Sequence, residues 1–226
     1  MQLLALDTST EFCSAALWLG GDIRARRTLA GQRHSSLLLP MIDELLREAG
    51  LSLRQLDGIA YGAGPGSFTG LRIACAVTQG LAFGADLPVV GISTLESIAQ
   101  QTDADQVLTV LDARMAEVYW AAYERAGNGW SCLLEPVLSA PEWVHLPGPG
   151  EWLGAGNGFA AMPLPQLQSD LARIEAQWVP DAAAIAALAA PAFARGEGAD
   201  AALAAPVYLR DKVAMTVEER RLRKSA

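Results

Sequence analysis

Apolar residues run from Leu3 to Leu6, stop at Asp7, give way to a Thr-Ser-Thr cluster at 8–10 and resume from Cys13 to Trp18. This pattern predicts strand, turn, strand. It returns in "VLTVLDARMAEVYWAAY" (107–123), where the apolar run again ends at Leu-Asp and resumes at Val118-Tyr119-Trp120. Leu6-Asp7 and Leu111-Asp112 stand 105 residues apart, so one supersecondary unit is expected twice, once in each half of the chain.

The segments between carry helical and strand periods. Residues 35–50 predict a helix capped by Ser35 or Ser36 and ended by Gly50, with Leu37, Leu38, Met41, Ile42, Leu45, Leu46 and Ala49 on one broad apolar face. Residues 56–62 and 87–93 read as strands, 69–86 as a second helix, and 94–101 as a short third. A hairpin is expected from "NGW" into "SCLLEPVL". Pro and Gly then cluster from Pro141 to Pro165, and 179–198 predicts a helix capped by Asp181 and disturbed at Pro191. Strands mixed with helices in each half define an α/β fold. The polar "QQTDAD" near residue 100 marks the boundary between a 1–100 and a 101–210 subdomain, with a polar tail at 211–226.

The stretch "GAGPGSFTGLR" (62–72) follows a strand and opens a helix, the place where backbone N–H groups bind anions. Its details do not fit a phosphate loop. The Gly-Lys-Ser/Thr ending is missing, and Gly64, Gly66 and Gly70 are misspaced for G-x-G-x-x-G. Asp86 precedes the next strand rather than ending it. The plainer reading is a tight turn that lets a helix start close to a neighbour. In that helix no residue between Arg72 and Asp86 is charged, and Ala76, Gly80 and Gly84 form a small-residue stripe at i, i+4, i+8. A helix apolar nearly all round is covered on both sides. The sheet supplies one cover. The 35–50 helix, a partner subunit or the chain's own core would supply the other.

Composition narrows the chemistry. The chain has 226 residues, 51% hydrophobic, with a net charge of -8, which argues against unaided grip on nucleic acid. The basic clusters Arg24/Arg26/Arg27 and Arg220/Arg221/Arg223/Lys224 read as solvated surface. Cys13, Cys75 and Cys132 show no metal spacing, and Cys13 and Cys75 read as core thiols of a reducing compartment. No basic region precedes the first apolar stretch, and no uncharged run is long enough for a membrane span, so a soluble cytoplasmic protein is expected. Asp7 and Asp112 end apolar strands and read as turn residues. His34 is expected on the surface before a helix, and His145 stands apart from it. Gly66-Ser67 lacks the spacer of a G-x-S-x-G nucleophile elbow.

"LALDTST" at the start, "GPGSFTGLRI" (64–73), "GISTLESIA" (91–99), "LDARMAEVYWA" (111–121) and "PVYLRDKVA" (206–214) together resemble the TsaB (YeaZ) family, subunits of the bacterial threonylcarbamoyladenosine (t6A) tRNA modification system. The resemblance implies a duplicated actin/Hsp70/sugar-kinase-like (ASKHA, ribonuclease H-like) fold with two mixed-sheet subdomains. It further implies a non-catalytic subunit. The catalytic relative, TsaD, uses a metal-binding histidine pair to transfer threonylcarbamoyl to N6 of adenosine 37 in tRNAs reading codons that begin with A. The expected partners are a TsaD homologue in a heterodimer and a TsaE homologue, the ATPase, with a homodimer when isolated and tRNA met only through the complex. No cofactor is expected for the chain alone, with ATP or ADP entering in the assembled complex. The expected association surface lies in the first half: Leu38, Met41, Ile42, Leu45, Ser67, Phe68, Leu71, Ile73, Ala76, Val77, Gly80 and Gly84. The alternative is an independent small-molecule kinase or peptidase, for which Asp7, Thr8, Ser9 and Thr10 are the only phosphate-loop and metal candidates.

Overall fold

The computed structural model describes residues 1–127 and 129–210. The 211–226 tail, with its basic cluster, lies outside the described residues. β1 (Gln2–Asp7), β2 (Phe12–Leu19) and β3 (Asp22–Leu29) form an antiparallel meander. β4 (Gly58–Gly64) and β5 (Val89–Ser93) extend it in parallel on the far side of β1. The second sheet repeats this plan. β6 (Gln106–Asp112), β7 (Val118–Ala126) and β8 (Gly129–Ser139) form the meander, and β9 (Trp152–Ala155) and β10 (Leu171–Glu175) extend it in parallel beyond β6. The strand orders, β3-β2-β1-β4-β5 and β10-β9-β6-β7-β8, are the same topology. Asp7 and Asp112 are each the last residue of the first strand of a unit, so the repeat legible in the sequence is a repeat of fold.

Helices α1 (His34–Ala49) and α2 (Phe68–Ala85) cover one face of the first sheet. Leu38, Met41, Ile42 and Leu45 of α1 pack with Leu4, Leu6, Cys13 and Leu17 of β1 and β2. α1 ends at Gly50, whose φ of 67° is left-handed. Its start differs from expectation: neither Ser35 nor Ser36 caps it. Arg33 is the cap position, and Ser36 Oγ donates to Arg33 O at 2.9 Å.

Each half lends its last helix to the other sheet. α3 (Thr94–Ala99) follows β5, yet Leu95, Ile98 and Ala99 pack with Val107, Leu111 and Tyr119 of the second sheet. After α4 (Gly158–Ala161) and β10 comes α5 (Ala182–Ala194), which returns to the first sheet. Ala182, Ile185, Ala186 and Ala189 lie on Ala5, Ala16 and Ala60. Alanine on both sides of this contact lets helix and sheet approach closely. The Asp181 carboxylate caps α5 by accepting from Ala183 N at 2.8 Å. A cut near residue 100 therefore divides the sequence but not the cores.

Three strands escaped the hydrophobic pattern. β3, sequence DIRARRTL, carries Arg24, Arg26 and Arg27 on an edge, where charge blocks pairing with another chain. These arginines are also engaged: Arg26 pairs with Glu48 and Glu44, and Arg27 with Asp181. β9 hides in the Pro/Gly-rich stretch and β10 follows it. Both help enclose Trp152, Leu164, Leu167 and Leu171 against Leu108 and Trp120.

Because Leu38 is fully buried in the chain's own core, Leu38→Ala is expected to destabilise the protein by about 2–5 kcal/mol. Urea unfolding checks this. A loss of partner affinity with unchanged stability would contradict the placement.

Candidate functional site

The glycine loop packs directly onto the turn between β1 and β2. A Cβ on Gly62 would collide with the Asp7 carboxylate, and one on Gly70 with Thr8 O. On Gly66 it would stand 2.7 Å from Ser9 O. Gly66 and Gly70 make room for the backbone of the β1–β2 turn, and Gly62 for the Asp7 side chain. Ser67 N donates to Ser9 O at 2.7 Å, and Ser67 caps α2: Gly70 N donates to its Oγ at 3.3 Å and Leu71 N to its O at 2.8 Å. In return Thr8 Oγ1 donates to Gly70 O at 2.7 Å.

Asp7, Thr8 and Ser9 are buried by this contact, and of the candidate phosphate residues Ser9 and Thr10 line the adjoining cleft. Asp7 Oδ1 accepts from Ser9 N at 3.0 Å and Ser9 Oγ at 2.9 Å, while Oδ2 is buried without a partner. Burial pushes the Asp7 carboxyl up to about 7, opposed by the Ser9 hydrogen bonds and reinforced by the charge of Asp181. Asp112, the equivalent residue of the second unit, is more open. Its Oδ1 accepts from Arg114 N at 2.8 Å, and its Oδ2 lies 3.0 Å from the Arg114 guanidinium. It is a turn residue, as expected.

His34 corrects the sequence reading. It is buried as the first residue of α1, and Nε2 lies 2.9 Å from Thr10 O and 3.2 Å from Phe12 O. Two carbonyl acceptors require that nitrogen to carry the hydrogen. His34 thus pins the far side of the β1–β2 turn.

Between the two units lies a cleft of about 680 Å³. One wall holds Ser9, Thr10, His34 and the glycine loop. The other holds Leu111, Asp112, Arg114, Met115 and Asn157. The segment 205–210 straps the walls together. Val207 N donates to Ala63 O at 2.7 Å, and Arg210 pairs with Glu117 at 2.6 Å and donates to Ala113 O at 3.1 Å. That second contact braces a turn in which Arg114, Met115 and Ala116 all have positive φ, at 62°, 58° and 61°. Three such residues in succession are costly for side chains with a Cβ. Sequence reasoning placed a turn between Asp112 and Val118 but not its three positive-φ residues, since no glycine marks them, and it missed the strap.

α2 separates the expected association residues into two sets. Leu71 faces inward and is buried, as are Leu38, Met41, Ile42 and Leu45 on α1. These five are corrected: the first sheet takes up the face that was expected to serve a neighbour as well. Ala76, Gly80 and Gly84 are exposed, Ser67 is exposed, and Phe68, Ile73 and Val77 are half-buried. Phe83 beside them is 86% exposed, and Leu203, on the turn that follows α5, is 71% exposed. The stripe faces outward.

Two units of one mixed-sheet plan, exchanging their last helices and enclosing a cleft at their strand ends, define a duplicated α/β protein of the actin/Hsp70/sugar-kinase class. Within that class the comparisons are specific. The family model described as "TsaD: tRNA N6-adenosine threonylcarbamoyltransferase" matches residues 27–217. The tRNA threonylcarbamoyladenosine biosynthesis protein TsaB of Escherichia coli (strain K12) is 42% identical over 95% of this chain and 96% of its own. The TsaB of Haemophilus influenzae is 50% identical over 55% of each. The solved structure of YeaZ from Pseudomonas aeruginosa superposes with a TM-score of 0.85 at 40% identity, covering 92% of this chain and 99% of that one. The chain belongs to the TsaB (YeaZ) family.

The buried Asp7 gives a pH signature. Its folded value of about 7 exceeds the unfolded 3.8. Between these values the folded state holds a proton that the unfolded state has released. Stability from this group is therefore full below about pH 4, falls as pH rises to about 7 and is flat beyond, a loss on the order of a few kcal/mol. Urea unfolding of the wild type and of Asp7→Asn across pH 4.5–8 checks the sign. The difference between the two curves is expected to shift in favour of the variant as pH rises, and parallel curves would refute it.

Proposed function

We propose that this chain is the non-catalytic scaffold and activator subunit of a t6A-forming system. It pairs with the catalytic TsaD homologue, is joined by the ATPase TsaE homologue, and is required for N6-threonylcarbamoylation of adenosine 37 in tRNAs reading codons that begin with A. The names of its relatives, tRNA threonylcarbamoyladenosine biosynthesis proteins, support the pathway. The observation that carries the subunit role is the outer face of α2. A Cβ on Gly80 or Gly84 would meet nothing within 4 Å. Each glycine inside a helix costs about 1 kcal/mol relative to alanine. Nothing among the described residues requires these two, and we place their use in a close neighbour. A second copy of the chain takes that place when the subunit is isolated.

The site chemistry supports the same reading. His34 is committed to backbone carbonyls, and His145 Nδ1 lies 2.9 Å from Trp143 O in the other half, so the two offer no ligand pair. Ser67 N of the glycine loop is taken by Ser9 O and the Gly-Lys of a phosphate loop is missing, which supports a role for ATP or ADP only in the assembled complex. With a net charge of -8, tRNA is met through the complex, in the cytoplasm. Among the described residues no helix is long and apolar enough to cross a membrane.

A second solved structure, 40% identical, is described as similar to peptidase YEAZ from Pseudomonas aeruginosa. That keeps an independent enzyme, peptidase or small-molecule kinase, as the alternative. The purified chain alone is expected to show neither peptide hydrolysis nor phosphoryl transfer. Adding it to TsaD and TsaE homologues with tRNA and threonylcarbamoyl-adenylate is expected to raise t6A formation well above the mixture without it. Equal formation in both mixtures would overturn the proposal.

Gly80→Leu is expected to leave folding intact, since the position is open, while abolishing both self-association and pairing with the TsaD homologue. Light scattering and a titration on the folded variant check this. A variant that still forms both complexes would remove the stripe from the interface.

A further inference from the structure

The stripe on α2 does not begin at Ala76. Counting back by four along the same ridge gives Arg72 and then Phe68, so positions 68, 72, 76, 80 and 84 form one row. Arg72 is exposed and held in one orientation. Its guanidinium carbon lies 3.8 Å from the centre of the Phe68 ring and 5.9 Å from that of Tyr208. The two rings are themselves in contact at 5.3 Å. Nε donates to Tyr208 Oη at 2.9 Å. With Nε engaged and the plane set by the rings, the two terminal nitrogens form a preorganised fork at the end of the small-residue stripe. Among the described residues no carboxylate pairs with it. Tyr208 belongs to the strap that Arg210 and Val207 fasten across the cleft, so both halves fix the fork's position.

We propose that Arg72 is the specificity-determining residue of the α2 surface, receiving a carboxylate of the TsaD homologue in a bidentate pair. This rests on the subunit reading above and names the chemistry that the partner must bring. A helix crossing close to Gly80 passes about 12 Å along the α2 axis from Arg72, at 1.5 Å per residue. An acidic residue about two turns from its own crossing point therefore reaches the fork. Bidentate arginine–carboxylate geometry is directional, and arginine and tyrosine are enriched among residues that dominate interface energy. A protein carboxylate fits better than a phosphate of tRNA or nucleotide. Along the row 68, 72, 76, 80 and 84 Arg72 is the one cation, beside the exposed Phe83, whereas nucleic-acid contacts need several cations together. α2 itself offers no acid between Phe68 and Ala85, so an α2-on-α2 self-pairing leaves the fork without a carboxylate from within that span and favours the different partner.

The experiment is a calorimetric titration of the full chain with the TsaD homologue, in the absence of tRNA and nucleotide, with melting temperatures measured for every variant. Arg72→Lys keeps the charge but loses the fork and is expected to weaken binding about tenfold or more without shifting the melt. Tyr208→Phe keeps the ring but frees Nε and is expected to weaken it less, about twofold to fivefold. Wild-type affinity in Arg72→Lys and in Arg72→Ala would overturn the inference while leaving the pairing intact. No binding by the wild type would overturn the pairing and this inference with it. If Arg72→Lys falls behind only when tRNA or ATP is added, the fork takes a phosphate and the carboxylate assignment is overturned.

Discussion

The structure turns on one close approach, the glycine loop against the β1–β2 turn. Three positions without a Cβ allow it: Gly62 in β4 leaves room for the Asp7 side chain, and Gly66 and Gly70 let Thr8 and Ser9 pack against the backbone that opens α2. That contact fixes where α2 starts, and thereby which of its faces meets the sheet. It also buries Asp7 without a partner for Oδ2, which raises its proton affinity. The contact also engages Ser67 N, which donates to Ser9 O at 2.7 Å. A fold class with a ligand cleft between its halves here has part of that cleft's wall occupied by its own main chain.

The second constraint is the exchange of last helices. Were α3 and α5 to fold back on their own sheets, the two units would meet only through linkers, and a cleft between them would have no fixed width. Instead α5 seats on Ala5, Ala16 and Ala60, and Leu95 and Ile98 of α3 seat among Val107 and Leu111. The strap at 205–210 adds a third crossing, tying Ala63 in one half to Ala113 and Glu117 in the other. The geometry of Arg72 depends on that strap through Tyr208, so a feature of the first half is held by the chain's last described residues.

Much of this was legible. The repeat could be read from Leu-Asp at 6–7 and 111–112 because buried strands ending at an acidic turn leave a plain pattern. The helices at 34–49, 68–85 and 182–194 were legible from local apolar runs, with Gly50 ending the first and Asp181 capping the last, although neither Ser35 nor Ser36 caps the first. What escaped was non-local. β3 has no apolar alternation because its job at an edge is to be charged. His34 reads as a surface residue until the β1–β2 turn, more than twenty positions earlier, is brought against it. The broad apolar face of α1 looked wide enough for two neighbours, yet the sheet takes Leu38, Met41, Ile42 and Leu45 together. Arg72 was noted only as the end of an uncharged run. Its partners Phe68 and Tyr208 are separated by 140 residues of sequence, and no pattern along the chain joins them.

Glycine serves two opposite ends within one strand-loop-helix. At 62, 66 and 70 an added methyl group would strike the protein's own atoms, so the reason for glycine is internal and complete. At 80 and 84 it would strike nothing, the backbone is helical, and alanine would be the more stabilising choice. Glycine that weakens a helix without serving the described fold is what the proposed close neighbour on this face accounts for. The outward row also carries a fixed cation at Arg72, and Phe83 beside the row is almost fully exposed, and exposed apolar surface of this kind is a mark of binding faces. The same physical test, what a Cβ would meet, thus separates the glycines of this strand-loop-helix that the chain's own packing requires from the two that it leaves open, where the proposed partner would sit.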